Sequence, residues 1–424
     1  MSEEELSAEY EALKAQYQSL LTENLSIDMS RGKPGAEQLN LTEGMLTVVS
    51  TNEQCHSENG QDCRNYGDLL GLHEARALFS ELLDIPYENI VLGGNSSLNM
   101  MYDALARAML YGVPGGDTPW CRLPKVKFLC PAPGYDRHFA ICESLGIEMI
   151  PVTMTETGPD MTQIEYLVSK DESIKGIWCV PKYSNPDGIT YSDDTVRRFA
   201  NLSPKAKDFR IFWDNAYGVH DIAEEGDTLL NLFRLMQGTE KENMLYLFFS
   251  TSKITYAGGG VALMAASDEN VEHMKKIIGI QTIGPDKVNQ LRHVRYFGDA
   301  DGIRAHMRRH ADILRPKFEA VLHALRTELE PAGIARWNTP KGGYFVSVFL
   351  APGTAKRTWQ LMKKLGITLT GVGATYPYGK DPEDSNLRIA PSCPTPSELE
   401  RAMECLCVTA KLAYLEHRLN KTVD

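Results

Sequence analysis

Six apolar runs recur through the middle of the chain, at 89–92, 126–130, 147–152, 175–181, 209–213 and 245–249. Short continuous runs bounded by glycine, proline and polar clusters predict strands buried on both faces. Between them lie segments of helical period, such as Ser97 to Leu110. Strand and helix alternating from about residue 66 to about residue 310 predict an α/β fold, a mainly parallel sheet covered by helices. Ahead of this block, Leu6, Tyr10, Leu13, Tyr17 and Leu20 mark one face of an amphipathic helix from Glu3 to Leu21, expected to pack on the body or on a partner subunit. Behind it come a long basic helix near 300–330, strands at Gly342–Phe349 and Leu387–Ala390, and a closing helix from Ser397 to about Leu419.

Three of the runs end in residues whose chemistry burial would change. The run 245–249 leads into Ser250-Thr-Ser-Lys253-Ile-Thr-Tyr-Ala-Gly-Gly-Gly260. An amine held in such a partly desolvated place has a lowered pKa, and a neutral amine forms a Schiff base with an aldehyde cofactor, of which pyridoxal phosphate is the one that needs it. Alone, the segment reads rather as an ordinary loop lysine among hydroxyls that cap backbone groups, and it is the other runs that overturn this. The run 209–213 ends at Asp214, a carboxylate too deep in an apolar context to stand unpaired; a protonated pyridine nitrogen would be its partner. The run 175–181 opens into Ser184-Asn185-Pro-Asp-Gly188, which is also a good generic turn.

Two further sites complete the set. Gly93-Gly-Asn95-Ser96-Ser97, between a strand and a helix, offers backbone amides, hydroxyls and the positive end of a helix dipole to a phosphate, with plain capping as the alternative. Arg388, between Leu387 and Ile389, needs an anion, either a substrate carboxylate or a structural partner.

In order, Asn185-Pro-Asp-Gly, Asp214-x-x-Tyr217 and Ser-x-Ser-Lys253, with Tyr66 in Asn-Tyr-Gly-Asp-Leu-Leu-Gly, Tyr135 in Pro-Ala-Pro-Gly-Tyr-Asp-Arg-His and Arg388 in Asn-Leu-Arg-Ile-Ala, resemble the fold-type I pyridoxal-phosphate enzymes, class I aminotransferases in particular, over nearly the whole chain. Ser30-Arg-Gly-Lys-Pro34 together with Ser-Thr-Ser-Lys-Ile-Thr-Tyr-Ala-Gly is most similar to the bacterial aspartate aminotransferases of subgroup Ic. The resemblance implies the following roles. Lys253 holds the cofactor and then moves the α-proton. Asp214 pairs with the ring nitrogen, Asn185 and Tyr217 reach the ring's phenolic oxygen, and Tyr135 stacks on its face. Asn95, Ser96, Ser97, Ser250, Ser252 and a neighbouring subunit's Tyr66 hold the phosphate. Arg388, with Gly32 on a mobile lid and Asn185, binds the substrate. Catalysis would rest on Lys253, Asp214 and Tyr217, with no metal.

The implied protein is a homodimer with a large cofactor domain (61–310) and a smaller α+β domain built from both termini (1–60 and 311–424). It moves an amino group from an L-amino acid, aspartate by subgroup, to a 2-oxo acid such as 2-oxoglutarate. An aromatic or 2-aminoadipate donor, or a lyase or decarboxylase on the same scaffold, stays open. For a second substrate carboxylate the cations nearest by motif are Arg31, Lys33 and Arg137, each read rather as a surface or subunit-contact charge than as a specificity residue. One departure stands out: Val261 occupies the position, eight after the lysine, where most class I members carry a phosphate-clamping arginine, and Gly258–Gly260 is read as letting the backbone approach the phosphate instead.

The net charge of −12 argues against nucleic acid or an anionic membrane as partner. A transcription regulator with an aminotransferase-like body would need a DNA-binding module, for which the 60 residues before the cofactor domain offer neither room nor a basic recognition helix. Nine cysteines without metal-type pairs, and no visible leader or membrane span, predict a reducing cytoplasm with free thiols. Cys405 and Cys407 read as helix packing positions. His306-Met-Arg-Arg-His310 has metal-binding spacing but no third ligand, and is read as a solvated basic face with Arg304, Arg308 and Arg309.

Overall fold

The structure, a computed structural model, describes residues 2–421. All six apolar runs enter one eight-stranded sheet in the order Ile90–Leu92, Ala262–Ala265, Leu245–Ser250, Arg210–Asp214, Ile174–Cys179, Lys127–Ala132, Glu148–Thr155, Gly158–Pro159. The four neighbouring pairs from Leu245–Ser250 to Glu148–Thr155 are parallel, whereas Ala262–Ala265 and Gly158–Pro159 run antiparallel to their neighbours. Helices from the connections pack on both faces of the sheet, so every residue of the three central strands is buried. Phe212 shows why: its ring meets Phe128, Trp178, Tyr246 and Phe248 at centroid distances of 5.5, 4.7, 5.6 and 5.7 Å. The strand from the run 175–181 stops at Cys179, ahead of Pro181, which has no N–H for the ladder.

A second core gathers the helix Glu3–Leu21, the closing helix Pro396–Leu419 and a three-stranded antiparallel sheet of Ala335–Trp337, Val346–Leu350 and Asn386–Ile389. The first of these helices starts in a capping box between Ser2 and Glu5 and buries Tyr10, Leu13, Tyr17 and Leu20. Cys405 and Cys407 lie buried on the closing helix, and all nine thiols are free. The helix Ala300–Ala324 runs through both cores, with Ile303 and Met307 in the one around the large sheet and Leu314, Phe318 and Val321 in the other. Among the described residues no helix is long and apolar enough to cross a membrane.

Three expectations change. Gly342–Phe345 stays out of the strand, which begins at Val346. Gly343 sits at φ +81°, and a Cβ on Gly342 would lie 2.2 Å from the Tyr183 ring, so this stretch is a tight backbone crossing. Ala262–Ala265 is a strand where the apolar pattern predicts none. The histidines are not on a solvated face: Arg304, Arg308 and Arg309 are exposed, but His306 and His310 are 4% and 1% exposed. Ile303, His306, Met307, His310 and Leu314 follow the helical repeat of one inward stripe, which the charges beside them obscure.

Candidate active site

The C-terminal ends of the parallel strands deliver the chemistry to one place, as open α/β sheets do. Asp214 is the last residue of its strand, Lys253 follows Leu245–Ser250 by three residues, Asn185 lies in the turn after Ile174–Cys179, and Tyr135 follows Lys127–Ala132. Arg388 comes from the small sheet, and Gly32 from the N-terminal segment. Eleven of the thirteen expected site residues line one cavity of about 500 Å³: Gly32, Ser96, Ser97, Tyr135, Asn185, Asp214, Tyr217, Ser250, Ser252, Lys253 and Arg388. Arg31, Lys33 and Arg137 line it too, from more exposed positions. Of two larger cavities, the one of about 620 Å³ holds buried Asp187 with Arg336 and Lys380, but both cations are exposed, and in the one of about 820 Å³ every carboxylate is exposed.

Burial pulls the Lys253 amine below its ordinary pKa of 10.5; the Asp214 carboxylate opposes this and the Arg388 charge reinforces it. Its Nζ lies 5.2 Å from the centre of the Tyr217 ring and 5.9 Å from that of Tyr344. Burial, with the nearby Tyr135 and Asp214, raises the Tyr217 phenol well above 10.0. The Tyr135 phenol is pushed up to about 12, again mainly by burial.

Asp214 is 3% exposed, with Oδ2 3.2 Å from His138 Nε2 and Oδ1 buried without a hydrogen-bond partner. A buried carboxylate oxygen left unpaired is costly, and a cationic N–H is what would satisfy it. Arg388 donates from Nη1 to Asp136 Oδ1 at 2.9 Å and Asn185 Oδ1 at 3.2 Å, and from Nε to Thr370 Oγ1 at 3.2 Å. Its guanidinium stands 4.8 Å over the Phe345 ring. A Cβ on Gly32 would lie 2.4 Å from Phe345 Cζ, so only glycine lets the N-terminal segment come this close.

At the other end, Ser96 is the N-cap of the helix Ser97–Tyr111, and its hydroxyl makes no cap bond. Unmet first-turn amides and the Ser96, Ser97, Ser250 and Ser252 hydroxyls form an anion cradle. The cradle is tied together by Ser250 Oγ donating to Ser252 Oγ at 3.1 Å and Ser252 Oγ donating to the Asn95 carbonyl at 2.7 Å. Val261 is buried, its N–H donating to Thr251 Oγ1 at 2.8 Å. Of the three glycines, Gly260 allows a close approach, but to protein backbone: its Cβ would lie 3.0 Å from the Asn95 carbonyl oxygen and the Ser252 nitrogen. An unpaired buried carboxylate oxygen, a desolvated amine and an anion cradle around one cavity fit pyridoxal phosphate.

Two expected residues stand outside the cavity. The Asn95 amide turns to the Ala257 carbonyl at 3.3 Å, and Tyr66 is 76% exposed. The fold also brings in four residues to which the sequence reading assigns no role. His138 stacks on Trp178 at 4.4 Å and meets Tyr135 edge-on at 4.9 Å, while Asp136, Thr370 and Phe345 surround Arg388. His138 and Asp136 stand in the Tyr135 motif, close to the residue that carries the resemblance; Thr370 and Phe345 carry no local signal.

The chain is 44% identical to an aspartate aminotransferase of Corynebacterium glutamicum over 97% of its own length and 95% of that protein's. The crystal structure of an aspartate transaminase from the same species superposes with a TM-score of 0.96 at 43% identity, covering 98% of each chain. The fold is shared more widely, for example with the α-aminoadipate aminotransferase LysN of Thermus thermophilus, TM-score 0.74 at 18% identity over 95% of each chain. The family model for aspartate amino-transferase matches residues 1–422, and with the full-length relatives above it places this chain in the aspartate amino-transferase family.

Proposed function

We propose that this aminotransferase uses pyridoxal phosphate to pass the amino group of L-aspartate to 2-oxoglutarate, with Lys253 as the residue that carries both cofactor and proton. The observation that carries the reading is the meeting, in one cavity, of an amine desolvated below its ordinary pKa, a buried carboxylate with one unpaired oxygen, and a forked arginine. When bound, pyridoxal phosphate supplies an aldehyde that takes the amino group and a ring that withdraws the electron pair left at the substrate Cα. The chain's own groups do the rest. Asp214, oriented by His138, holds a proton on the ring nitrogen through its free Oδ1. Asn185 and Tyr217 serve the phenolic oxygen, Tyr135 the ring face, and the serine hydroxyls with the amides at Ser96 and Ser97 the phosphate. Arg388 takes the α-carboxylate; its Nη1 and Nε are already fixed by Asp136, Asn185 and Thr370, which orients the fork before substrate arrives. Lys253, neutral once displaced, moves the proton between the substrate Cα and the cofactor carbon.

A second carboxylate on the substrate is suited by Arg31, Lys33 and Arg137 around the same cavity. The small domain carries Arg388, so its approach to the large one closes the site on a bound dicarboxylate. A homodimer that brings Tyr66 to the partner's phosphate site is supported by an exposed apolar patch: Tyr66, Ile280 and Ile283 are 76%, 81% and 63% exposed, and Gly67 packs on Gly284 beside them.

The test is the visible spectrum of the purified holoenzyme. L-Aspartate alone should convert the band of the Lys253-linked cofactor to that of its aminated form, and 2-oxoglutarate should restore it; Lys253→Ala should show neither band nor turnover. A band that aspartate leaves unchanged sinks the donor assignment, release of alanine and carbon dioxide sinks the transfer, and a wild-type protein that takes up no cofactor sinks the reading entirely.

A further inference from the structure

The two histidines of the basic helix belong to a buried polar chain that ends on the backbone of the lysine loop. Gln38, on the short helix Ala36–Asn40 six residues after Gly32, is fully buried. Its Nε2 donates to Tyr344 Oη at 2.8 Å and faces His310 Nδ1 at 3.0 Å, while its Oε1 accepts from the Gly35 N–H at 3.1 Å. Tyr344 Oη donates onward to the Lys253 carbonyl at 3.4 Å. His306 Nε2 lies 2.9 Å from the Ile254 carbonyl and 3.1 Å from His310 Nε2.

One assignment of donors and acceptors gives each imidazole N–H in these contacts a carbonyl acceptor. Because Gln38 offers an N–H, His310 Nδ1 must accept, which puts the His310 proton on Nε2, directed at the Ile254 carbonyl. A carbonyl accepts twice, so the His306 Nε2–H fits beside it, and the 3.1 Å between the two Nε2 atoms is the spacing of two donors sharing one acceptor, not a bond between the imidazoles. Both imidazoles are then neutral. Burial agrees, lowering His306 and bringing His310 down to about 3. The same N-terminal segment lines the candidate site at Gly32 and is bonded to the Arg388 strand, Ala390 N–H donating to the Met29 carbonyl at 3.0 Å.

We propose that Gln38, Tyr344, His306 and His310 form a buried clamp that fixes the Lys253–Ile254 peptide to the N-terminal segment, and so sets the reach of the Lys253 amine toward cofactor and substrate. These are positioning residues: they grip two successive carbonyls of the lysine loop, and Tyr344 also packs its ring 5.9 Å from the Lys253 Nζ and 6.1 Å from the Tyr217 ring. The clamp explains why polar groups this deep are retained in a core that apolar residues could fill. It rests on the proposed role of Lys253.

Tyr344→Phe removes only the hydroxyl that joins Gln38 to the Lys253 carbonyl, and Gln38→Met removes the donor at near-constant volume. In the holoenzyme each variant should lower kcat for aspartate about tenfold, with KM within about twofold, because misplacing the amine slows proton transfer without weakening substrate binding. Each should also move the midpoint of the pH titration of the cofactor's visible band and speed amide hydrogen exchange in peptides covering 251–256. The double variant should lose little more than either single one, since both cut one chain. The clamp is overturned if band midpoint, kcat and exchange all stay at wild-type values, or if a variant only lowers the melting temperature. Should Tyr344→Phe fail to fold, Gln38→Met decides by the same readings. A wild-type protein that takes up no cofactor ends the Lys253 reading and the clamp together; a normal wild-type band with unaltered variants ends the clamp alone.

Discussion

Asp187, two residues beyond Asn185 in the same turn, is 4% exposed, and its Oδ1 has no hydrogen-bond partner. Burial raises its carboxyl to about 7, against smaller lowering effects of the Ser347 hydroxyl and the Arg336 charge. In the unfolded chain it titrates near 3.8. The folded state therefore holds this proton more tightly, so the stability it contributes is complete below pH 3.8 and is lost as pH rises through about 7. The loss is about 4 kcal/mol over the whole range, and about 3 kcal/mol of it falls between pH 5 and pH 8. For a chain of 424 residues, an unfolding entropy of about 2.1 cal/mol/K per residue converts that to roughly 3 °C. Scanning calorimetry of wild type and Asp187→Asn from pH 5 to pH 9 checks it, since the amide of the variant keeps the shape of the carboxyl and cannot ionise. The melting temperature of the variant relative to wild type should rise by about 3 °C between pH 5 and pH 8. A difference that stays constant across that interval refutes the reasoning, whatever its size.

Arg388→Lys replaces a fork held by Asp136, Asn185 and Thr370 with a single ammonium; kcat/KM for aspartate should fall by about 2–3 kcal/mol, some 30- to 150-fold, in steady-state assays. Asp136→Asn removes the carboxylate that competes for the same guanidinium at 2.9 Å, so the KM for aspartate should drop several-fold in the same assay; an unchanged KM would mean that Asp136 only orients the arginine. Phe212→Ala empties the centre of the aromatic cluster under the Asp214 strand and should cost about 3–5 kcal/mol in denaturant unfolding, with the cofactor band weakened in proportion to the unfolded fraction.

What the sequence determined by itself is what depends on neighbours along the chain. Buried parallel strands must be apolar on both faces, so they are visible as runs, and the residues that close them, Asp214, Lys253 and the Asn185 turn, are visible as polar breaks in an apolar context. The inward stripe holding His306 and His310 is equally local, but the arginines between them draw the reading toward charge and away from period. Ala262–Ala265 escapes because a four-residue strand without a β-branched or aromatic side chain carries almost no strand signal. Tertiary structure alone decided the pairings: His138 on Asp214 across 76 residues, Gln38 on His310 across 272, Asp136 on Arg388 across 252. Each joins groups from separate elements: the first pair meets where the helix Asp136–Ser144 packs on the large sheet, the second where the short helix Ala36–Asn40 meets the helix Ala300–Ala324, and the third where the small sheet meets the start of the helix Asp136–Ser144. A polar side chain shows in the sequence that it needs a partner, but which partner it gets is a matter of distance, and distance exists only once the chain has folded.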